Sequence, residues 1–137
     1  MLLTKECDYS VRIIRALADG EKKKVEELCK LERIPIPYAY KILKKLQQAG
    51  LLHSLRGRSG GYQLAVSLDK ITLVDVLMAI DKDLLIFECL DSNKPCLLHS
   101  VELPCSVHLE LERLQDVLVA EMGRKSMHEV FFPNEIT

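Results

Sequence analysis

Apolar residues recur at helical spacing at the start of the chain. Cys7, Val11, Ile14 and Ala18 step by four and three, and Ile13 and Leu17 widen the stripe. This predicts a helix over 5–18, closed by Asp19-Gly20. A charged turn, 21–24, leads to a short second helix over 25–31. The third helix is better marked. Pro37 suits its first turn, Ala39, Ile42, Leu43 and Leu46 make its buried stripe, and Gly50 stands where a helix-ending glycine belongs. The period then changes. Segments 51–55 and 62–66 read as short strands, and the glycine-rich run 56–61 between them reads as a hairpin tip. Thr72, with Asp75 three residues on, reads as an N-cap opening a helix over 73–80.

From 82 to 104 the periodicity lapses. It returns in Val107, Leu111, Leu114, Leu118 and Met122, separated by Glu110, Glu112, Arg113, Gln115, Asp116 and Glu121. Alternating steps of four and three make a narrow coiled-coil seam. Such a seam predicts contact with a second chain, or a helix lying across its own domain. In the tail after Gly123, Pro133 argues against a further helix.

The expected fold is therefore mainly α with a small β-hairpin. Three helices followed by a hairpin is the order of a winged helix-turn-helix domain, with a long C-terminal dimerisation helix beyond it. The corresponding division is 1–80 for the winged domain, 81–105 for a cysteine-bearing loop and 106–137 for the dimerisation helix and tail. A chain of 137 residues, 48% apolar and 28% charged, has room for one such core. No run approaches the ~20 apolar residues of a membrane span, and Glu6 and Asp8 spoil a signal peptide, so a cytoplasmic protein without membrane contact is expected.

The net charge of −1 conceals a split: residues 1–65 hold 13 Lys and Arg against 7 Asp and Glu, whereas 66–137 hold 6 against 13. A basic half points to a polyanionic partner. Around the third helix, Lys41, Lys44, Lys45 and Gln48 project opposite the apolar stripe. There the lysines would neutralise phosphates, and Gln48 or Tyr38 would lie near base edges. At the hairpin tip, Arg56 and Arg58 flank glycines on a thin loop able to approach a minor groove, with Ser59 adding a phosphate hydrogen bond. The alternative is an ordinary solvated face. Motifs of the types G-x-S-x-G, H-E-x-x-H, C-x-x-C and the P-loop are absent, so an enzyme is not expected.

Five cysteines without an export signal argue against a disulfide framework. Cys7 and Cys29 sit in helical stretches and read as core thiols. Cys89, Cys96, Cys105 and His108 form the pattern C-x6-C-x8-C-x2-H. On an irregular loop stiffened by Pro95 and Pro104, these groups would suit a metal. The spacing matches neither a zinc ribbon nor a ferredoxin run, so incidental thiols remain the alternative.

The runs DYSVRIIRALA (8–18), RIPIPYAYKILKKLQQAGLL (33–52) and LRGRSGGYQLA (55–65) resemble the IscR/NsrR-type transcriptional regulators of bacteria. That resemblance implies a dimeric winged-helix protein binding a double-stranded DNA operator. It further implies control by an iron–sulfur cluster, 2Fe–2S or 4Fe–4S, that senses nitric oxide, redox state or iron and cluster supply. Cys89, Cys96 and Cys105 would be its thiolate ligands. The fourth ligand is His108 if the IscR-like pattern holds, or Asp8 of the partner subunit if the NsrR-like one does; His99 is a further substitute. CymR-like relatives imply the alternative of a regulator without a cluster, with structural zinc or control by a protein partner or small ligand. Tyr40 and Lys41 stand where IscR-like members carry glutamate and glutamine, so the operator sequence is not implied.

Overall fold

In the computed structural model, which describes residues 4–135, eight regular elements follow one another. They are α1 (Lys5–Ala16), α2 (Val25–Glu32), α3 (Ile36–Gln48), β1 (Leu52–Leu55), β2 (Gly61–Leu64), α4 (Leu73–Ile80), α5 (Ser106–Met122) and α6 (Met127–Phe131). Short 3₁₀ turns lie at Leu68–Lys70, Glu88–Leu90 and Pro133–Glu135. The protein is mainly helical with one two-stranded antiparallel sheet, as its residue pattern predicts.

Local chemistry sets most of the boundaries. Thr4 caps α1 by accepting the Cys7 N–H at 3.3 Å, and Glu6 and Asp8 in the first turn complement the helix dipole. The helix ends two residues earlier than its apolar stripe suggests. The Leu17 and Ala18 amides already close tighter turns, and Gly20 reverses the chain at φ +80°. The stripe of α3 is buried as expected: Ala39, Ile42, Leu43 and Leu46. Thr72 and Asp75 form a reciprocal capping box at α4.

These helices close round one core. Ile13 and Ile14 of α1 and Leu17 at its end meet Leu28 of α2, the α3 stripe, Ile71 just before α4 and Val76 within it. A smaller cluster joins Cys7 and Leu77 to Leu84, with Met122 of α5 packed against it. The hairpin pairs Leu52 with Leu64 and Leu55 with Gly61. It is anchored on a third segment, because Lys23 and Tyr62 exchange both backbone hydrogen bonds, at 2.9 and 2.8 Å. That contact explains Gly61: a Cβ there would lie 2.6 Å from the Lys23 carbonyl oxygen.

The tail corrects one expectation. A helix does form after Gly123, opened by Ser126, whose hydroxyl accepts the Glu129 N–H at 3.2 Å. It ends before Pro133, so the proline terminates the helix rather than preventing it. What stabilises so short a helix is tertiary. Met127 is fully buried in the α1–α4 core, and its amide donates to the Ile71 carbonyl at 2.6 Å.

Candidate nucleic-acid interface and thiol segment

The α3 residues opposite its buried stripe lie open to solvent. Tyr38, Tyr40, Lys41, Lys44, Gln47 and Gln48 are exposed, and Lys45 is half-buried. Tyr38 stands edge-on to Tyr9 of α1, ring centroids 5.7 Å apart. Gln47 donates to Ser54 of β1 at 3.3 Å, which ties the helix to the wing. At the wing tip Arg56, Arg58 and Ser59 are exposed. The turn is closed by the Gly60 N–H on the Gly57 carbonyl at 3.0 Å, with Gly57 at φ +104°. Lys44, Arg56 and Arg58 make no ion pair among the described residues.

Lys41 and Lys45 are differently placed. Both turn toward the first turn of α1 and hydrogen-bond the Glu6 carboxylate, one lysine to each oxygen. Hydrogen bonds from Lys41 and then Lys45 hold the Glu6 carboxyl below the usual carboxylate range, and Glu6 pushes the Lys41 ammonium up. Sequence reading missed Glu6 because its partners lie 35 and 39 residues away, beyond any local pattern.

The thiol segment is irregular, as the lapse in periodicity predicts. Cys89 lies in the 3₁₀ turn Glu88–Leu90, and the Cys96 carbonyl accepts the His99 N–H at 3.1 Å. Cys105 is the N-cap of α5. All three are half-buried, and among the described residues no cysteine is disulfide-bonded. His99 and His108 stack with centroids 3.8 Å apart, and the Cys105 N–H donates to His99 Nδ1 at 3.0 Å. His108 Nδ1 is buried without a hydrogen-bond partner. Among the described residues no three His, Cys, Asp or Glu side chains are gathered round a common point. The donor types nonetheless suit iron: soft sulfur at three positions of one segment, and an imidazole nitrogen of His108 without a hydrogen-bond partner. Asp8 pairs with Arg12 at 2.9 Å and lines an apolar groove of about 450 Å³ with Cys7, Val11, Leu77 and Met122. Cys7 and Cys29 are buried, as core thiols should be, and burial pushes the Cys29 thiol up.

The α5 seam divides between two surroundings. Leu111 and Met122 are half-buried, whereas Val107, Leu114 and Leu118 are 64%, 40% and 37% exposed. No helix among the described residues is long and apolar enough to cross a membrane.

Comparison with known proteins converges on one family. The model of the Rrf2 family, an iron-dependent transcriptional regulator, matches residues 3–132. An HTH-type transcriptional regulator NsrR of Bacillus subtilis is 32% identical over 97 residues, 69% of this chain and 66% of that protein. A putative HTH-type transcriptional regulator of Aquifex aeolicus is 34% identical over 117 residues, 84% of this chain and 81% of that protein. The chain aligns with less than two thirds of some curated relatives, 62% in the case of protein aau3 of Rhizobium meliloti. In fold, it superposes on the structure of CymR, the global cysteine regulator of B. subtilis, with a TM-score of 0.76 at 18% identity, covering 98% and 99% of the two chains. T. potens IscR gives 0.73 at 18% identity, covering 98% and 89%. The chain belongs to the Rrf2 family, whose winged-helix members are transcriptional regulators and not enzymes.

Proposed function

We propose that this protein is a homodimeric DNA-binding regulator whose operator affinity is set by an iron–sulfur cluster. The observation that carries the DNA-binding part is the α3 face beside an arginine-tipped wing, with Lys44, Arg56 and Arg58 making no ion pair among the described residues. A helix in the major groove and a wing on the adjacent backbone or minor groove would use these groups for phosphates. Tyr38, Tyr40 and Gln48 would meet base edges. Dimerisation would pair the exposed Val107, Leu114 and Leu118 of one α5 with those of a second chain, matching a two-fold operator.

The cluster reading is supported by Cys89, Cys96 and Cys105 on one segment, by the unpaired His108 Nδ1, and by the family's iron dependence. The thiolates would hold the cluster, with His108 or Asp8 of the partner subunit as the fourth ligand. When bound, the cluster supplies an iron sensitive to oxidation, nitric oxide or loss. The segment joins α4 to α5, so its ordering would set the position of the dimer helices relative to the winged domains.

A second reading, regulation without a cluster, is favoured by the scattered placement of the donor groups. The test is anaerobic reconstitution of the whole protein with iron and sulfide, followed by visible spectroscopy and iron, sulfide and zinc analysis. A chromophore lost on changing Cys89, Cys96 or Cys105 to alanine, but kept with Cys7 and Cys29 changed, supports the cluster. Zinc at one per chain with no chromophore selects the second reading and leaves DNA binding standing.

A further inference from the structure

Glu6 lies between two cations of the helix that should meet DNA. One carboxylate oxygen takes Lys41, and the other takes Lys45 at 2.8 Å; Lys45 also reaches the Ile80 carbonyl oxygen at 3.4 Å. The Glu6 side chain is only 20% exposed, so its charge is directed onto α3 rather than into water. Lys44 and Gln48, at the centre of the same exposed face, make no such contact among the described residues. The face therefore carries three lysines, two of which share an internal counter-ion.

We infer that Glu6 is an affinity-setting residue, the built-in counter-ion that limits how strongly α3 grips the phosphate backbone. The inference rests on the DNA-binding reading and deepens it. A lysine that neutralises a phosphate releases a condensed counter-ion, and this release drives sequence-independent binding. A lysine already held by a carboxylate contributes less, because its charge is compensated before DNA arrives. Carboxylate–lysine pairs near the surface are weak, so a phosphate can compete for the lysine and Glu6 attenuates binding without abolishing it. Discrimination then falls to groups with hydrogen-bonding edges and to the wing arginines.

The test uses full-length protein and a random-sequence 30-base-pair duplex, with binding followed by fluorescence anisotropy across a salt series. Glu6→Gln removes the charge and keeps the shape. It should bind several-fold tighter, and the slope of log affinity against log salt should steepen by about 1.8 per dimer if each subunit gains one phosphate contact. The charge-balanced pair Glu6→Gln with Lys45→Gln should return the slope to that of the wild type. Far-UV circular dichroism and thermal melts establish that the variants are folded. Unchanged or weaker binding by folded Glu6→Gln, while Lys44→Gln still reduces binding, overturns the inference alone. Absence of any salt-dependent duplex binding by the wild type overturns the DNA-binding reading beneath it. A double variant that stays as tight as Glu6→Gln overturns the counter-ion explanation.

Discussion

The Gln115 side chain of α5 is hydrogen-bonded to the backbone at Leu84: its amide donates to the Leu84 carbonyl at 2.7 Å, while its oxygen accepts the Ile86 N–H at 2.9 Å. Leu84 is buried and left-handed, at φ +46°, a conformation a branched side chain adopts only where its surroundings impose it. The pair is thus the rivet between α5 and the start of the thiol segment. Gln115→Ala strips two partly buried backbone groups of their partner, at a cost of about 1–3 kcal/mol. Hydrogen exchange across 81–90 should accelerate while exchange in α3 stays slow; equal acceleration in both would mean that the contact serves the whole fold.

Met127 makes a second prediction. It is fully buried in the winged-domain core although it follows the long helix in sequence. Met127→Ala should destabilise the protein by about 2–5 kcal/mol, measured by urea unfolding. A loss below about 1 kcal/mol would show that the tail is dispensable to that core.

The α5 seam makes a third. Leu114 is exposed within the single chain, so Leu114→Glu should leave the monomer fold intact while preventing the proposed dimer. Sedimentation velocity should show one species of half the wild-type mass with an unaltered circular dichroism spectrum. An unaltered oligomer would remove this helix from the interface.

Acid should loosen the tail. The Ser126 backbone N–H, 2.7 Å from the Glu129 carboxylate, holds that carboxyl below its ordinary range, with the Ser126 side chain adding to the effect. The unfolded chain therefore binds this proton more readily than the folded one. The stabilisation is fully present above the ordinary glutamate range and is lost as pH falls through the lower folded value. Glu129→Gln keeps a capping acceptor but cannot titrate. Melting temperatures followed from about pH 6 to pH 3 should fall less steeply for this variant than for the wild type; parallel curves would refute the assignment.

Much of the fold was legible along the chain because short-range physics decides it. The stripe of α3, its glycine stop, the Thr72–Asp75 cap and the glycine-rich turn of the wing each depend on residues within a turn or two of one another. The candidate contact residues of α3 and the wing were legible for the same reason, since a face opposite a buried stripe must point outward. The late helix was misjudged because five residues with a following proline carry little intrinsic stability. Burial of Met127 in the core, the hydrogen bond of its amide to the Ile71 carbonyl and the Ser126–Glu129 capping box together hold them in place.

Spacing along a backbone of known geometry is enough to order the helices as far as α5, to predict the wing and to put three thiols on one segment. Tertiary structure decided which lysines of α3 are compensated, that Gly61 must let Lys23 approach, and that the imidazoles of His99 and His108 stack. These depend on contacts between segments brought together by burial of the core, and charge or periodicity read along the chain carries no information about which distant carboxylate a given lysine will meet.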